Sequence, residues 1–173
     1  MAFALKSPSK LPVVAIVGNP NVGKSVLFNR LTGRYVTVSN YPGTTVEISK
    51  GLASAYKVRF IVVDTPGMYS MSPISEDERV ARRVLIDNPP DLILHVVDAK
   101  NIERMLPLTL QFLEAGFEVI VVANMMDEAD RSGIKIDTIE LQKRLGIPVI
   151  ATACLHGRGI DLLKDILYER LAK

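Results

Sequence analysis

The segment Gly18-Asn19-Pro20-Asn21-Val22-Gly23-Lys24-Ser25 decides the fold of this chain. It follows the apolar, strand-like run Val13 to Val17 and precedes the amphipathic run Val26 to Leu31, so it joins a strand to a helix. Its two glycines allow a tight turn in which successive N–H groups face an anion at the positive end of the helix. The spacing predicts a phosphate-binding loop, in which Lys24 reaches the β- and γ-phosphates and Ser25 binds Mg²⁺. The alternative is a glycine-rich turn before a structural helix.

Composition indicates one folded domain. The 173 residues are 48% apolar, which is enough for a sizeable core, and the mean hydropathy is +0.22. The 21 basic and 19 acidic side chains are interspersed without a basic block, so nucleic acid is not the expected partner. A single cysteine, Cys154, excludes an internal disulfide and fits a cytoplasmic protein. We expect residues 1–11 to be a flexible leader and residues 12–173 to form the domain, with no segment inserted in a membrane.

Apolar runs of strand length alternate with amphipathic stretches of helix length. The predicted strands are Val13 to Val17, Phe60 to Val63, Leu92 to Val97, Val119 to Ala123 and Val149 to Ala151, and the predicted helices are Val26 to Leu31, Glu76 to Ile86, Ile102 to Ala115, Asp137 to Leu145 and Gly159 to Leu171. Val46 to Tyr56 runs into Lys57 to Val63 with no room for a crossover helix, which predicts an antiparallel hairpin. The pattern predicts an α/β fold with a mostly parallel six-stranded sheet, one antiparallel edge strand and helices on both faces.

Polar segments follow four of the predicted strands and begin at Gly18, Asp64, Asn124 and Thr152. We expect these four segments to share one edge of the sheet. Within Asp64-Thr65-Pro66-Gly67, the carboxylate of Asp64 is placed to orient Mg²⁺ through water, and the N–H of Gly67 can approach a γ-phosphate. The alternative is ordinary turn chemistry, because Asp-x-Pro-Gly is also a common turn sequence.

Asn124-Met125-Met126-Asp127 follows a buried run and predicts a base-binding loop. Asp127 can accept hydrogen bonds from the N1–H and 2-amino groups of guanine, an edge that adenine lacks. The alternative is that Asp127 caps the following helix. Thr152-Ala153-Cys154 lies where a second guanine contact belongs, and the Ala153 N–H is the predicted donor to guanine O6. Met125 supplies apolar contact to the base or is simply a core methionine.

The long polar segment from Gly33 to Thr45 contains Pro42-Gly43 and predicts a mobile switch. Thr44 and Thr45 are both candidates to close on Mg²⁺ when a γ-phosphate is present, and a plain surface loop is the alternative. His95 lies inside an apolar strand, and His156 has no acid near it in the sequence. We therefore interpret both histidines as structural.

With these motifs in order, the chain resembles the small GTPase domains of the translation-factor branch and, more narrowly, the cytosolic G domains of the FeoB family of ferrous iron transporters. The narrower resemblance rests on the motifs above, on Tyr41-Pro42-Gly43-Thr44-Thr45-Val46-Glu47, on Val96-Val97-Asp98-Ala99 through Leu108-Thr109-Leu110-Gln111, and above all on Asn124-Met125-Met126-Asp127-Glu128. It covers about Val13 to Leu171 and implies a Ras-like P-loop GTPase fold. Guanine loops usually read Asn-Lys-x-Asp, so the double methionine is the most family-specific feature.

The resemblance implies that Thr45, rather than Thr44, is the switch threonine on Mg²⁺. It also implies that Asn21 helps to hold K⁺ beside the phosphates, with carbonyls near Ser39 and Tyr41. Met68 and Tyr69 follow Gly67 where Ras-like enzymes place a water-orienting glutamine, so a potassium ion would supply the missing positive charge. We therefore expect slow GTP hydrolysis that potassium stimulates.

The predicted catalytic residues are Lys24, Asn21, Thr45 and Gly67. The residues predicted to contact GTP or GDP are Asn19, Asn21, Val22, Gly23, Lys24, Ser25, Val26, Gly43, Thr44, Thr45, Asp64, Gly67, Asn124, Met125, Asp127, Thr152, Ala153 and Cys154, with Ser25, Thr45 and Asp64 on Mg²⁺ and Asn21 on K⁺.

The resemblance also implies partners outside this chain, namely a helical domain that stabilises GDP binding and a membrane permease that takes up Fe(II). We expect the whole protein to lie at the cytoplasmic face of the inner membrane, and an oligomer is a candidate state of the full-length protein. Two alternatives remain, a ribosome-assembly or tRNA-modification GTPase and a regulatory GTP-binding module with negligible hydrolysis.

Overall fold

The computed structural model describes residues 10–172, with the backbone alone for Arg34 and Tyr35. Within this range the sheet has seven strands. Their bounds are β1 Val13–Val17, β2 Thr32–Asn40, β3 Glu47–Ala55, β4 Val58–Asp64, β5 Leu92–Asp98, β6 Val119–Asn124 and β7 Val149–Ala151. The predicted leader at residues 1–11 lies, except for its last two residues, outside the described range.

The strand order is β2-β3-β4-β1-β5-β6-β7. Strand β1 pairs in parallel with both β4 and β5, and β5, β6 and β7 continue the parallel part of the sheet. Parallel strands buried on both faces need continuous apolar runs, and β6 is buried at every position. The carboxyl ends of β1, β4, β6 and β7 therefore meet at one edge, as the sequence predicted.

The segment predicted as a mobile switch is largely a strand, which corrects the strand count from six to seven. Strand β2 pairs antiparallel with β3 through Val36↔Gly51 to Asn40↔Glu47, so β2 and not β3 is the edge strand. The predicted hairpin is present, because β3 pairs antiparallel with β4 around a turn at Tyr56. The apolar residues Val36 and Val38 are exposed on β2. A strand without a buried face lacks the apolar run that marked the others.

In the part of the chain that the structure describes, six α-helices cover the two faces of the sheet: α1 Lys24–Leu31, α2 Glu76–Asp87, α3 Ile102–Glu114, α4 Met126–Arg131, α5 Thr138–Leu145 and α6 Ile160–Leu171. Helices α1 and α6 share one core cluster, which contains Leu27 and Leu163, and α2 and α3 share another, which contains Leu85 and Phe112. Across residues 10–172, none of these helices combines the length and the apolar character that a membrane span requires.

Candidate functional site

The loop from Gly18 to Ser25 connects β1 to α1 and has the backbone of a tight anion cradle. Gly23 has φ of 93°, and a Cβ added there would lie 2.4 Å from Nδ2 of Asn124, so only glycine fits. Lys24 and Ser25 are the first two residues of α1, at the positive end of the helix. The loop therefore has the conformation that its sequence predicted.

Lys24 is directed along the loop. Its side chain is buried, and Nζ donates a hydrogen bond to the carbonyl of Asn19 at 2.8 Å. Burial lowers the pKa of the Lys24 ammonium, while the nearby charge of Asp64 acts to raise it. A buried cation that spans an N–H-lined loop is suited to bind an anion, because little solvent screens it.

Ser25 and Asp64 meet where β4 ends. The Ser25 hydroxyl donates to Oδ2 of Asp64 at 2.8 Å. Oδ1 of Asp64 is buried and has no hydrogen-bond partner among residues 10–172. Burial raises the pKa of this carboxyl group, against the hydrogen bond from Ser25 and the charge of Lys24. A hydroxyl oxygen beside an unpartnered carboxylate oxygen fits Mg²⁺, which prefers hard oxygen ligands.

A cleft of about 500 Å³ opens beside this pair and is lined by Lys24, Ser25, Thr45, Asp64 and Gly67 among others. The structure separates the two candidate threonines. The Thr44 hydroxyl donates to the Tyr41 carbonyl at 2.9 Å and accepts from the Val46 N–H at 3.2 Å, so it stabilises the turn that contains Gly43. Thr45 lines the cleft.

The segment after Gly67 is held by a side chain that sequence reasoning missed. A Cβ added at Gly67 would lie 2.6 Å from Cγ of Pro20, so this backbone packs directly on the phosphate loop. The buried Glu78 accepts N–H donors from Tyr69 at 3.0 Å, Ile74 at 2.9 Å and Ser75 at 3.1 Å. These bonds, led by that from Ile74, lower the pKa of Glu78. The signal was present as the capping box Ser75-x-x-Glu78.

Asn124 joins the phosphate end of the site to its other end. Nδ2 donates to the carbonyl of Val22 at 2.9 Å, while Oδ1 accepts the Thr152 hydroxyl at 3.1 Å and the Cys154 N–H at 2.9 Å. The side chain is buried with both polar atoms satisfied. The phosphate-binding loop, the Asn124 segment and the loop that begins at Thr152 are therefore in direct contact through the side chain of Asn124.

Asp127 does not cap α4. The N-cap is Met125, with φ of 62°, and Asp127 lies in the first turn. Its Oδ2 lies 3.2 Å from Nη2 of Arg131 and 3.4 Å from Nε2 of His156. His156 has no acid near it in the sequence, but the fold brings the loop after β7 against α4 and so places Asp127 beside it. The carboxylate predicted to bind guanine thus has two cationic or polar neighbours.

The predicted guanine contact from Ala153 needs correction. Its N–H donates to the Arg158 carbonyl at 3.1 Å, in an isolated bridge within the loop. After β7 the chain reverses direction at Gly157, so that Ala153 and Arg158 lie opposite each other. An Ala153 contact with guanine O6 would require this bond to be exchanged. Cys154 is buried, and burial raises the pKa of its thiol.

Three further predicted residues, Asn21, Val22 and Val26, lie in the phosphate-binding loop and at the start of α1. Asn21 is exposed with φ of 63°, Val22 is buried and Val26 is half-buried on α1. His95 is fully buried, and its Nδ1 lies 2.8 Å from the Thr109 hydroxyl. His95 is a core residue, in agreement with the sequence interpretation.

A mostly parallel sheet with a P-loop after β1, an Asp-x-x-Gly segment after β4 and an Asn-x-x-Asp segment that begins at the end of β6 defines a Ras-like G domain. Comparison with known proteins shows to which family of G domains the chain belongs. The sequence model of the family described as Ferrous iron transport protein B matches residues 12–167. The chain therefore belongs to this family, known as FeoB, and it is the G domain.

Individual relatives agree with this assignment. The Fe(2+) transporter FeoB of Escherichia coli K12 is 44% identical over 155 residues, which are 87% of this chain and 20% of that protein. The cytosolic domain of T. maritima FeoB in a GDP form has a TM-score of 0.88 and 42% identity, over 94% of this chain and 64% of that one. Its G domain alone gives a TM-score of 0.85 at 42% identity, over 94% of this chain and 99% of that one. The chain thus spans about a fifth of the length of the curated relative.

Proposed function

We propose that this domain binds GTP and GDP with Mg²⁺ and hydrolyses GTP, and that it serves as the cytosolic G domain of a ferrous iron transporter. The observation that carries the proposal is the Ser25–Asp64 pair, which lines a cleft beside Lys24 and in which the buried Oδ1 of Asp64 has no hydrogen-bond partner among the described residues. Support for the nucleotide comes from the T. maritima relative, whose cytosolic domain has GDP and GMPPNP forms. Membership of the FeoB family disfavours the alternative of a ribosome-assembly or tRNA-modification GTPase.

In the proposed reaction, water attacks the γ-phosphorus, the bond from that phosphorus to the β–γ bridging oxygen breaks, and GDP and phosphate leave. Lys24 and the N–H of Gly67 would bind the γ-phosphate oxygens and stabilise the charge that develops there. Ser25 and Thr45 would ligate Mg²⁺ directly and Asp64 would orient it through water. Closure of Thr45 onto the metal would then depend on the γ-phosphate, as in other nucleotide switches.

We further propose that the hydrolysis is slow and that K⁺, held with the help of Asn21, stimulates it. Met68 is fully buried and Tyr69 is 64% exposed, so neither is placed to orient the attacking water. Among the described residues that line the cleft there is no arginine. A monovalent cation beside the phosphates would provide the positive charge that these side chains do not.

The test compares GTP hydrolysis in potassium and sodium buffers at equal ionic strength. We expect the hydrolysis rate in potassium to be about ten-fold higher than in sodium. This is smaller than the rate effect of about 100-fold or more that groups stabilising the developing charge have in other enzymes. The substitution Asn21→Ala should abolish the difference, whereas Asn29→Ala, at an exposed position on α1, should preserve it. Equal rates in the two buffers, or stimulation that survives Asn21→Ala, would refute the potassium proposal.

The whole protein is proposed to couple nucleotide state to Fe(II) uptake through a permease, with a helical domain that stabilises bound GDP. This places the domain at the cytoplasmic face of the inner membrane, and an oligomer of the full-length protein is part of the same proposal. The supporting fact is that curated FeoB relatives are about five times longer than the matched region. Loss of Fe(II) uptake in a full-length Lys24→Ala transporter, with normal expression, is the expected result.

A further inference from the structure

Arg30 connects helix α1 to the loop that follows β7. Its Nε donates to the carbonyl of Cys154 at 2.9 Å, and its Nη2 donates to the carbonyl of Leu155. A planar guanidinium presents donors in a fixed fork, so one side chain binds two successive carbonyls of the loop. Helix α4 contacts the same loop through its backbone, since the Met126 N–H donates to the Thr152 carbonyl at 3.0 Å.

The two bonds fix the orientation of the loop backbone. The N–H of Cys154 donates to Oδ1 of Asn124, and the carbonyl of the same residue accepts from Arg30. Cys154 is therefore held by Asn124, at the end of β6, on one side and by Arg30 of α1 on the other. The guanidinium also lies against Gly157, where an added Cβ would be 3.6 Å from Nη1.

Helix α1 carries this constraint to the phosphate end of the site. Lys24 and Ser25 begin the helix, and Arg30 lies six residues after Lys24. At about 1.5 Å per residue this is a rise of roughly 9 Å along a rigid element. One short helix thus contacts the phosphate loop at its first turn and the guanine loop near its last.

We propose that Arg30 is a positioning residue for guanine recognition, which orients the loop of residues 152–157 toward O6 of the base and slows nucleotide release. The inference rests on the proposed function, because it presumes a bound guanine nucleotide. Arg30 lies outside all of the sequence motifs. Its bonds to the Cys154 and Leu155 carbonyls link helix α1, which begins at the phosphate-binding loop, to the loop after β7.

The test uses GDP and the diphosphate of 2-aminopurine riboside, which keeps the 2-amino group but lacks O6 and the hydrogen on N1. Stopped-flow release of each nucleotide is measured for the wild-type chain, Arg30→Ala and Arg30→Lys. We expect Arg30→Ala to release GDP about ten-fold faster, the scale of one to two lost charge-assisted hydrogen bonds. Release of the O6-lacking analogue should change by less than about two-fold, because the contact through which Arg30 acts is missing.

Arg30→Lys should give an intermediate rate, because an ammonium on a flexible stem cannot bind both carbonyls in the same fork. The matched control is Arg144→Ala on α5, whose guanidinium pairs with Glu140 in the same helix and lies away from the loop. GDP release unchanged in Arg30→Ala would overturn the inference. Equal acceleration for GDP and the analogue would also overturn it, since it would indicate a general structural role. A wild-type chain that binds neither nucleotide would instead refute the proposed function.

Discussion

The two ends of the candidate site are built on different principles. At the phosphate end, Lys24 is buried and Asp64 is half-buried beside the exposed Ser25, and Oδ1 of Asp64 has no partner among the described residues. At the base end, each polar atom of Asn124 is hydrogen-bonded, and Asp127 lies beside Arg131 and His156. The phosphate end thus has unused ligand capacity, while the base end is a network of satisfied groups.

This difference shows how each end would select its ligand. An unpartnered carboxylate oxygen near a buried ammonium favours a complex of a cation and an anion, and its energetics are dominated by charge. A satisfied network binds a base by exchanging partners, so the ligand must replace the hydrogen bonds that it displaces. Affinity should therefore depend most on the phosphate end, and base specificity on the base end.

The largest expected effect is at the phosphate end. Lys24→Ala removes the buried ammonium, and we expect GTP affinity to fall by about 1,000-fold, the scale for truncating one partner of a buried charge pair. The measurement is a fluorescence titration with labelled GTP. Lys143→Ala, at an exposed position on α5, is the control and should bind normally. A loss below ten-fold for Lys24→Ala would mean that charge does not dominate this end.

The next effect is at the base end. Asp127→Asn should weaken GTP by about 100-fold and favour xanthosine triphosphate, because an amide complements the xanthine edge and a carboxylate complements guanine. Competition titrations with both nucleotides measure the switch. Asp130→Asn is the matched control on the same helix, where the carboxylate pairs with Arg158. Unchanged GTP affinity in Asp127→Asn would show that the base loop is misassigned.

The third prediction concerns the core below the phosphate end. Burial, with a smaller effect from Lys24, lowers the pKa of His95 from 6.5 to about 3. Below about pH 6.5 the unfolded chain therefore binds more protons at His95 than the folded chain does. The contribution of neutral His95 to the free energy of unfolding is fully present above that pH and is lost as the pH falls toward 3. The contribution of His95 should change by about 1.4 kcal/mol per pH unit in this window.

Urea unfolding at about pH 7 and pH 5 measures this slope. His95→Asn should reduce it by most of that amount. Thr109→Val removes the hydrogen-bond partner of His95 but retains the titrating group, so it should lower stability and keep the slope. The same pH dependence in His95→Asn and in the wild type would contradict the assignment of a neutral, buried His95.

The smallest effect tests the support of the segment after Gly67. Ser75 accepts the Glu78 N–H at 3.1 Å as the N-cap of α2. Ser75→Ala should cost about 1 kcal/mol of unfolding free energy. Thermal denaturation measures the loss, and Ser54→Ala, at an exposed position on β3, is the control. Equal melting temperatures for the two variants would show that the cap does not stabilise this segment.

The fold and the phosphate end could be predicted from sequence because local patterns determine them. Apolar runs located the parallel strands, and the spacing of Gly18, Gly23 and Lys24 defined the loop between β1 and α1. Strand β2 was missed because Val36 and Val38 are exposed on it, so it lacks the buried apolar run that marked the other strands. Its alternation of Val36-Thr37-Val38 was the available signal.

The base end could be predicted only in part. The motif identified Asn124 and Asp127, and the contact of Asn124 with Thr152 follows from the shared edge of the sheet. The neighbours of Asp127 and the bond from Ala153 to Arg158 depend on how a loop turns after β7. Arg30 lies 124 residues from Cys154 in the sequence, and no short motif relates the two positions.

The central claim is that one edge of the sheet binds a guanine nucleotide together with Mg²⁺. Titration of the wild-type chain with fluorescent GDP and ADP, with Mg²⁺ and with excess chelator, tests it most directly. We expect saturable GDP binding that Mg²⁺ strengthens, and ADP binding weaker by at least about 1,000-fold because adenine cannot pair with Asp127. No saturable binding, or an equal affinity for ADP, would contradict the account.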